Sequence, residues 1–215
     1  LILVILIYFN VSKYTELFSS DKYFTLLNKD NASEVLLKIN SFSKYNFLDR
    51  KLRSIEKDAN LHFHYIEGLL NWSDLEIKLL NWLFEGLIKF TPQKYHFLYK
   101  NITVAKYKDD IEIGFPHTHG NTIFLTGKFV KEILRFYNKQ DIAECILIIG
   151  SIIIHECVHI FQRRDSEFFN NLYNELGFYK SKKIINLKKY AAKKRYNPDG
   201  VDLNWIYKDK YNKKE

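Results

Sequence analysis

Residues 141–165, DIAECILIIGSIIIHECVHIFQRRD, constrain the fold more than any other stretch of the chain. They hold no proline and read as one helix of about six turns, with Asp141 in place to cap its start. Apolar residues point nearly all round, so the helix is expected to be buried on most sides. Gly150 interrupts it at a cost of about 1 kcal/mol relative to Ala, which predicts a close helix or strand contact there.

The second half of this helix carries chemistry. His155 and His159 are four apart, about 40° from each other on one helical face, and two imidazoles so placed reach one cation at roughly 2.0–2.1 Å. Glu156 follows at about 100° and borders the same place without ligating. This is the His-Glu-x-x-His pattern of zinc hydrolysis. The bland alternative is a pair of core histidines with satisfied hydrogen bonds near a helix end. Against it stands the setting, since a carboxylate among isoleucines costs several kcal/mol unless its charge is used. With Zn²⁺ bound, a water's pKa falls toward about 7, and Glu156 is the group to take its proton.

Elsewhere the chain reads as scaffold. Residues 14–57 carry helical patterns, with Asn31 or Ser33 as caps within NASEVLLKI. Ser73 and Glu76 form a capping box that opens a helix ending at Thr91-Pro92, and Trp72 and Trp82 read as core. Residues 95–107, 110–115 and 122–127 alternate or run apolar over short lengths, which predicts three strands at about 96–126 in a sheet that is partly antiparallel. PHTHGN (116–121) reads as the loop between two of them. Its His117 and His119 are either turn residues or donors to a substrate or oxyanion. A helix over KFVKEILRFYNKQ follows. The helix-rich N-terminal third and the small sheet together make an α+β fold, with residues 1–215 expected as one domain.

Composition narrows the remaining classes. The 215 residues carry a net charge of +8, 16% aromatics, two cysteines and no methionine. Cys145 and Cys157 lie three turns apart on one helix and are expected as buried thiols, which favours a reducing compartment without excluding export. Much of the positive charge lies in lysine pairs at 182–195, a solvated helix face or a patch for an anionic partner. No nucleic-acid fold signature accompanies it, so nucleic acid is not the expected partner. LILVILIYF (1–9) is too short to cross a bilayer. It fits the tail of a signal peptide or membrane anchor, or else a buried terminal strand. The chain begins at Leu1 and reads as a piece of a longer frame, so a cytoplasmic and a membrane-anchored or secreted location both stay open.

IIIHECVHIFQRR resembles the active-site helix of zincin metallopeptidases, in particular the HExxH peptidase-like proteins of viruses and microbes. The resemblance runs over about 110–199. GFPHTHGNTIFL is similar to the zincin edge strand along which substrate lies extended, and RYNPDG (195–200) resembles a downstream motif. It implies a zincin-like fold, Zn²⁺ held by His155 and His159, Glu156 as catalytic base and a peptide or protein as substrate. The chain departs from the metzincin pattern, because Asp165 stands where a third histidine would be. In gluzincin-type relatives the third ligand is a later Glu. Glu175 is the helical candidate here, Glu167 a nearer one, and a ligand beyond Glu215 is the other option.

Two further readings stand beside the peptidase. One is a zincin-like protein that binds metal or a partner without hydrolysis. The other is a basic nucleic-acid or membrane-surface protein acting through 182–195.

Overall fold

The computed structural model describes residues 23–40, 42, 47–53, 55, 59–180 and 205–207. The segments 1–9, 182–195 and 195–200 singled out above lie outside them.

The sheet is mixed. β3 (Ile102–Tyr107) is central, parallel on one side to β5 (Thr122–Thr126) and on the other to β1 (Phe24–Leu26). The two-residue β2 (Leu69–Leu70) pairs antiparallel with the far end of β3, on the side that β1 occupies. β4 (His117–His119) runs antiparallel to β5 and forms the edge. Successive residues face opposite sides of the sheet, which separates two cores. Val104, Ile123 and Leu125 belong to one, and Ala105, Tyr107 and Phe124 to the other.

The first core is closed by helices. α4 (Asp74–Phe90) follows α1 (Lys29–Leu37), α2 (Phe47–Leu52) and α3 (Leu61–Glu67) in the chain. Its capping box forms as expected, with Ser73 N–H donating to Glu76 Oε2 at 2.8 Å. The same carboxylate pairs with Lys106 of β3 at 2.7 Å, pinning the start of the helix to the sheet. Thr91 ends α4, and His96 Nε2 donates to the carbonyls of Ile88 and Thr91. Trp72 and Trp82 pack against this core, as expected of them. α5 (Gly127–Lys139) follows β5, capped by Thr126.

α6 spans Ile142–Arg164 as one helix with a π-helical stretch, Ile146–Gly150, between α-helical Ile142–Cys145 and Ser151–Arg164. Asp141 caps it. A close approach to α4 lies at Gly150, where an added Cβ would stand 3.0 Å from Leu87 Cδ2, and again at Gly86, 2.5 Å from Ile142 Cδ1. Ile153, Cys157, Val158, Ile160 and Phe161 are buried in the first core. α7 (Ser166–Glu175) leads to a hairpin-like pair, β6 (Phe178–Lys180) with β7 (Trp205–Tyr207).

Several expectations are corrected. α6 is not buried nearly all round: Leu147 is 76% exposed, and Ile148 and Ile152 are exposed with it. Residues 93–99 are a 3-10 helix, leaving only 102–107 as strand. DIEIGF is a turn, with Glu112 (φ 50°) and Ile113 (φ 60°) in the left-handed region. Its alternation misleads because the glutamate turns inward to Arg53 while Ile113 is exposed. PHTHGN is not a loop, since 117–119 pair with β5. The cap of α1 is Asn28, one turn before the expected residues.

Candidate metal centre

The last three turns of α6 carry the two histidines on the exposed side of the helix and Glu156 on the buried side. His155 is exposed and His159 half-buried, whereas Glu156 is only 4% exposed. The carboxylate is withdrawn as its apolar setting implied, whereas the imidazoles are more accessible than a helix buried on most sides would leave them.

The imidazoles converge. His155 Nε2 and His159 Nε2 stand 2.9 Å apart with their rings at 89°. Two nitrogens bound tetrahedrally to one Zn²⁺ would be about 3.3 Å apart, so the pair lies within a few tenths of an ångström of a shared-cation geometry. The protonation pattern agrees. Gln162 Nε2 donates to the Tyr173 hydroxyl at 2.8 Å, which turns Oε1 toward His159 Nδ1 at 2.9 Å. The amide oxygen is an acceptor, so this contact favours the Nδ1–H form of His159, whose Nε2 faces His155 Nε2. A cation held between the two Nε2 atoms would need a lone pair from each, with both rings carrying their proton on Nδ1.

The residues thus fit as two ligands of one metal. Among the described residues no third His, Cys, Asp or Glu joins them in a metal-holding group. Glu175 and Glu167 are exposed on α7 and do not meet the pair.

Two arginines hold the end of the helix in place. Arg163 Nη2 donates to Thr118 Oγ1 at 2.8 Å and to the Gly120 carbonyl at 2.9 Å, so α6 is tied to β4 and its turn. Arg164 donates to the carbonyls of Lys100 and Phe97. Gln162, Arg163 and Tyr173 carry no role in the sequence reading. The run QRR directly after the motif was the available signal, though spacing alone says nothing of what it grips.

His117 and His119 are not brought to the pair. In β4 only Thr118 faces α6, and the flanking histidines point into the second core. His117 stacks on Tyr107 and Phe124 with Nδ1–H donating to the Phe115 carbonyl, and His119 lies against Phe42 and Tyr65. Burial, together with the charges of His117, Arg163 and Arg53, holds His119 well below the usual imidazole range. Neither the turn reading nor the substrate-donor reading describes them.

The thiols are as expected. Cys145 and Cys157 are buried and free, and burial pushes Cys145 up to about 11 and Cys157 further, which makes both inert.

The chain matches no family model, no curated protein and no solved structure.

Proposed function

We propose that the chain is a zinc-dependent metallopeptidase of zincin-like fold, hydrolysing peptide bonds in a peptide or protein substrate. The observation that carries the reading is the convergence of His155 Nε2 and His159 Nε2 to 2.9 Å beside a buried Glu156. The mixed sheet adds support, with the antiparallel edge strand β4 joined to the HExxH helix through Thr118 and Arg163.

His155 and His159 would hold the metal through their Nε2 atoms. Bound Zn²⁺ supplies Lewis-acid polarisation of the scissile carbonyl and acidifies the attacking water. Glu156 would take a proton from the attacking water as the water oxygen bonds to the carbonyl carbon and the C=O π pair moves onto the carbonyl oxygen. The same carboxylic acid would then deliver the proton to the amide nitrogen as the C=O bond re-forms and the C–N bond breaks, leaving Glu156 ionised and one water consumed. Burial suits the carboxylate to this work, because in a drier setting its interaction with a cationic centre is stronger than in water.

Purified protein is expected to hold one Zn²⁺ per chain, lost in His155→Ala as read by metal analysis. Glu156→Gln is expected to retain the metal and lower kcat on a peptide library by about 10²–10⁴-fold. Equal turnover by wild type and Glu156→Gln would remove the hydrolase and leave a metal-binding protein of the same fold. Absence of stoichiometric metal from wild type would remove both.

A further inference from the structure

His117 and His119 stand two apart on β4, so they share one face of the strand, the face turned into the second core and away from α6. They are 3% and 2% exposed, and the Nε2 atom of each meets no hydrogen-bond partner among the described residues. A buried polar nitrogen in that condition costs free energy, and two of them side by side on one strand call for a shared partner.

What they offer is lone pairs. His117 Nδ1 meets the Phe115 carbonyl at 3.1 Å, and a carbonyl only accepts, so in the neutral ring the proton lies on Nδ1 and Nε2 carries the lone pair. A carbonyl behind the far nitrogen is the usual support of a metal-bound imidazole. The two ring centres are 5.4 Å apart at 80°. Two imidazoles bound through nitrogen to one cation at about 2.0 Å have their centres about 5–6 Å apart. Tyr107 and Phe124 stack on His117, and Phe42 and Tyr65 stand edge-on to His119, which fixes the planes of both rings.

The surroundings select the cation. Zn²⁺ takes four ligands, and among the described residues no His, Cys, Asp or Glu joins the pair in a group of three. A divalent ion would also bring two charges into a core already facing Arg53 and Arg163, of which Arg53 is matched by Glu112 at 2.6 Å. Cu⁺ brings one charge, is satisfied by two imidazole nitrogens, and is stabilised by the faces of aromatic rings in a water-poor core. We propose that His117 and His119 form a second metal site, buried in the second core, that binds Cu⁺ through the two Nε2 atoms. It stands apart from the HExxH pair on α6 and does not depend on it.

The test uses the full chain carrying His155→Ala and His159→Ala, which removes the exposed imidazole pair, under anaerobic conditions that keep copper as Cu⁺. Competition with a chromophoric Cu⁺ chelator is expected to show one Cu⁺ per chain, and the melting temperature is expected to rise on binding. Adding His117→Phe or His119→Phe, each of which keeps a ring in place, is expected to abolish both. Cu⁺ is diamagnetic, so NMR of the background protein reads the ligands without a further substitution. The ring nitrogens of His117 and His119 are expected to shift on binding, and those of His62, His64 and His96 to stay. That measurement carries the comparison if a phenylalanine variant fails to fold.

No stoichiometric Cu⁺ in the background protein would overturn the proposal and leave the two nitrogens as partners of buried water. Shifts at Cys145 or Cys157 in place of the two histidines would overturn it as well, because the copper would then sit on a thiol. Stoichiometric Zn²⁺ in the background protein, lost on His119→Phe, would overturn the choice of cation. All three are read without His155 and His159, so the fate of the zinc site on α6 does not enter.

Discussion

Arg53 and Glu112 form a pair in which each side chain is less than a tenth exposed, with Nε to Oε2 at 2.6 Å and the Tyr65 hydroxyl donating to the other carboxylate oxygen. Two charges withdrawn from water each carry a desolvation cost of several kcal/mol, offset only while they stay together. Arg53→Met is therefore expected to destabilise the protein by about 3–5 kcal/mol in urea denaturation. Adding Glu112→Leu to that variant should recover much of the loss, a non-additivity that a double-mutant cycle reads directly. This pair also shows why residue roles in DIEIGF were illegible. Alternation assigns Ile113 to the interior and Glu112 to solvent, and a guanidinium far along the chain reverses both. The HExxH residues were legible for the opposite reason. Their relation is fixed within two helical turns, so sequence spacing and spatial spacing agree.

Elements divide in the same way. α4 and α6 were readable because capping side chains and 3.6-residue periodicity are local properties, and the Gly150 contact followed from a glycine placed where a helix does not favour one. The strands were less readable. β1, β2 and β4 are two or three residues long, too short to carry a period, and β1 joins the sheet by parallel pairing of Phe24 with Ile102. Strand pairing over such a separation leaves no mark in either segment. At the α4–α6 crossing the close approach makes a firm prediction. A Cβ added at Gly86 would stand 2.5 Å from Ile142 Cδ1 and 2.7 Å from Cγ1. The neighbouring helix must shift, so Gly86→Ala should lower stability by about 1–3 kcal/mol despite the better helix propensity of alanine. Thermal denaturation monitored by circular dichroism measures it.

At the scale of the molecule, the second core makes stability depend on pH. His119 titrates well below the usual imidazole value when folded because burial, His117, Arg163 and Arg53 all oppose its positive charge, and burial lowers His64 as well. Above about pH 6.5 both states hold these rings neutral, and the penalty is absent. As pH falls below that value the unfolded chain takes up protons that the folded protein refuses, so stability declines. Urea midpoints followed from neutral pH to about pH 5 should fall, and His119→Phe should make the decline shallower. A slope unchanged by that substitution would assign the effect to other groups.

The π-helical turn at Ile146–Gly150 has a consequence for the bearing of the site. A π turn holds one residue more than an α turn, and one residue on an α-helix is about 100° of rotation. The stretch before it is fixed in phase by Ile142 against Gly86, and the stretch after it carries His155, Glu156 and His159. Wound as plain α-helix, the same sequence would swing the three residues about a quarter of a turn from their present bearing, with the spacing inside the motif unchanged. The motif supplies the chemical groups. One surplus residue, taken up within the π stretch that ends five positions upstream of the first histidine, supplies the compass heading.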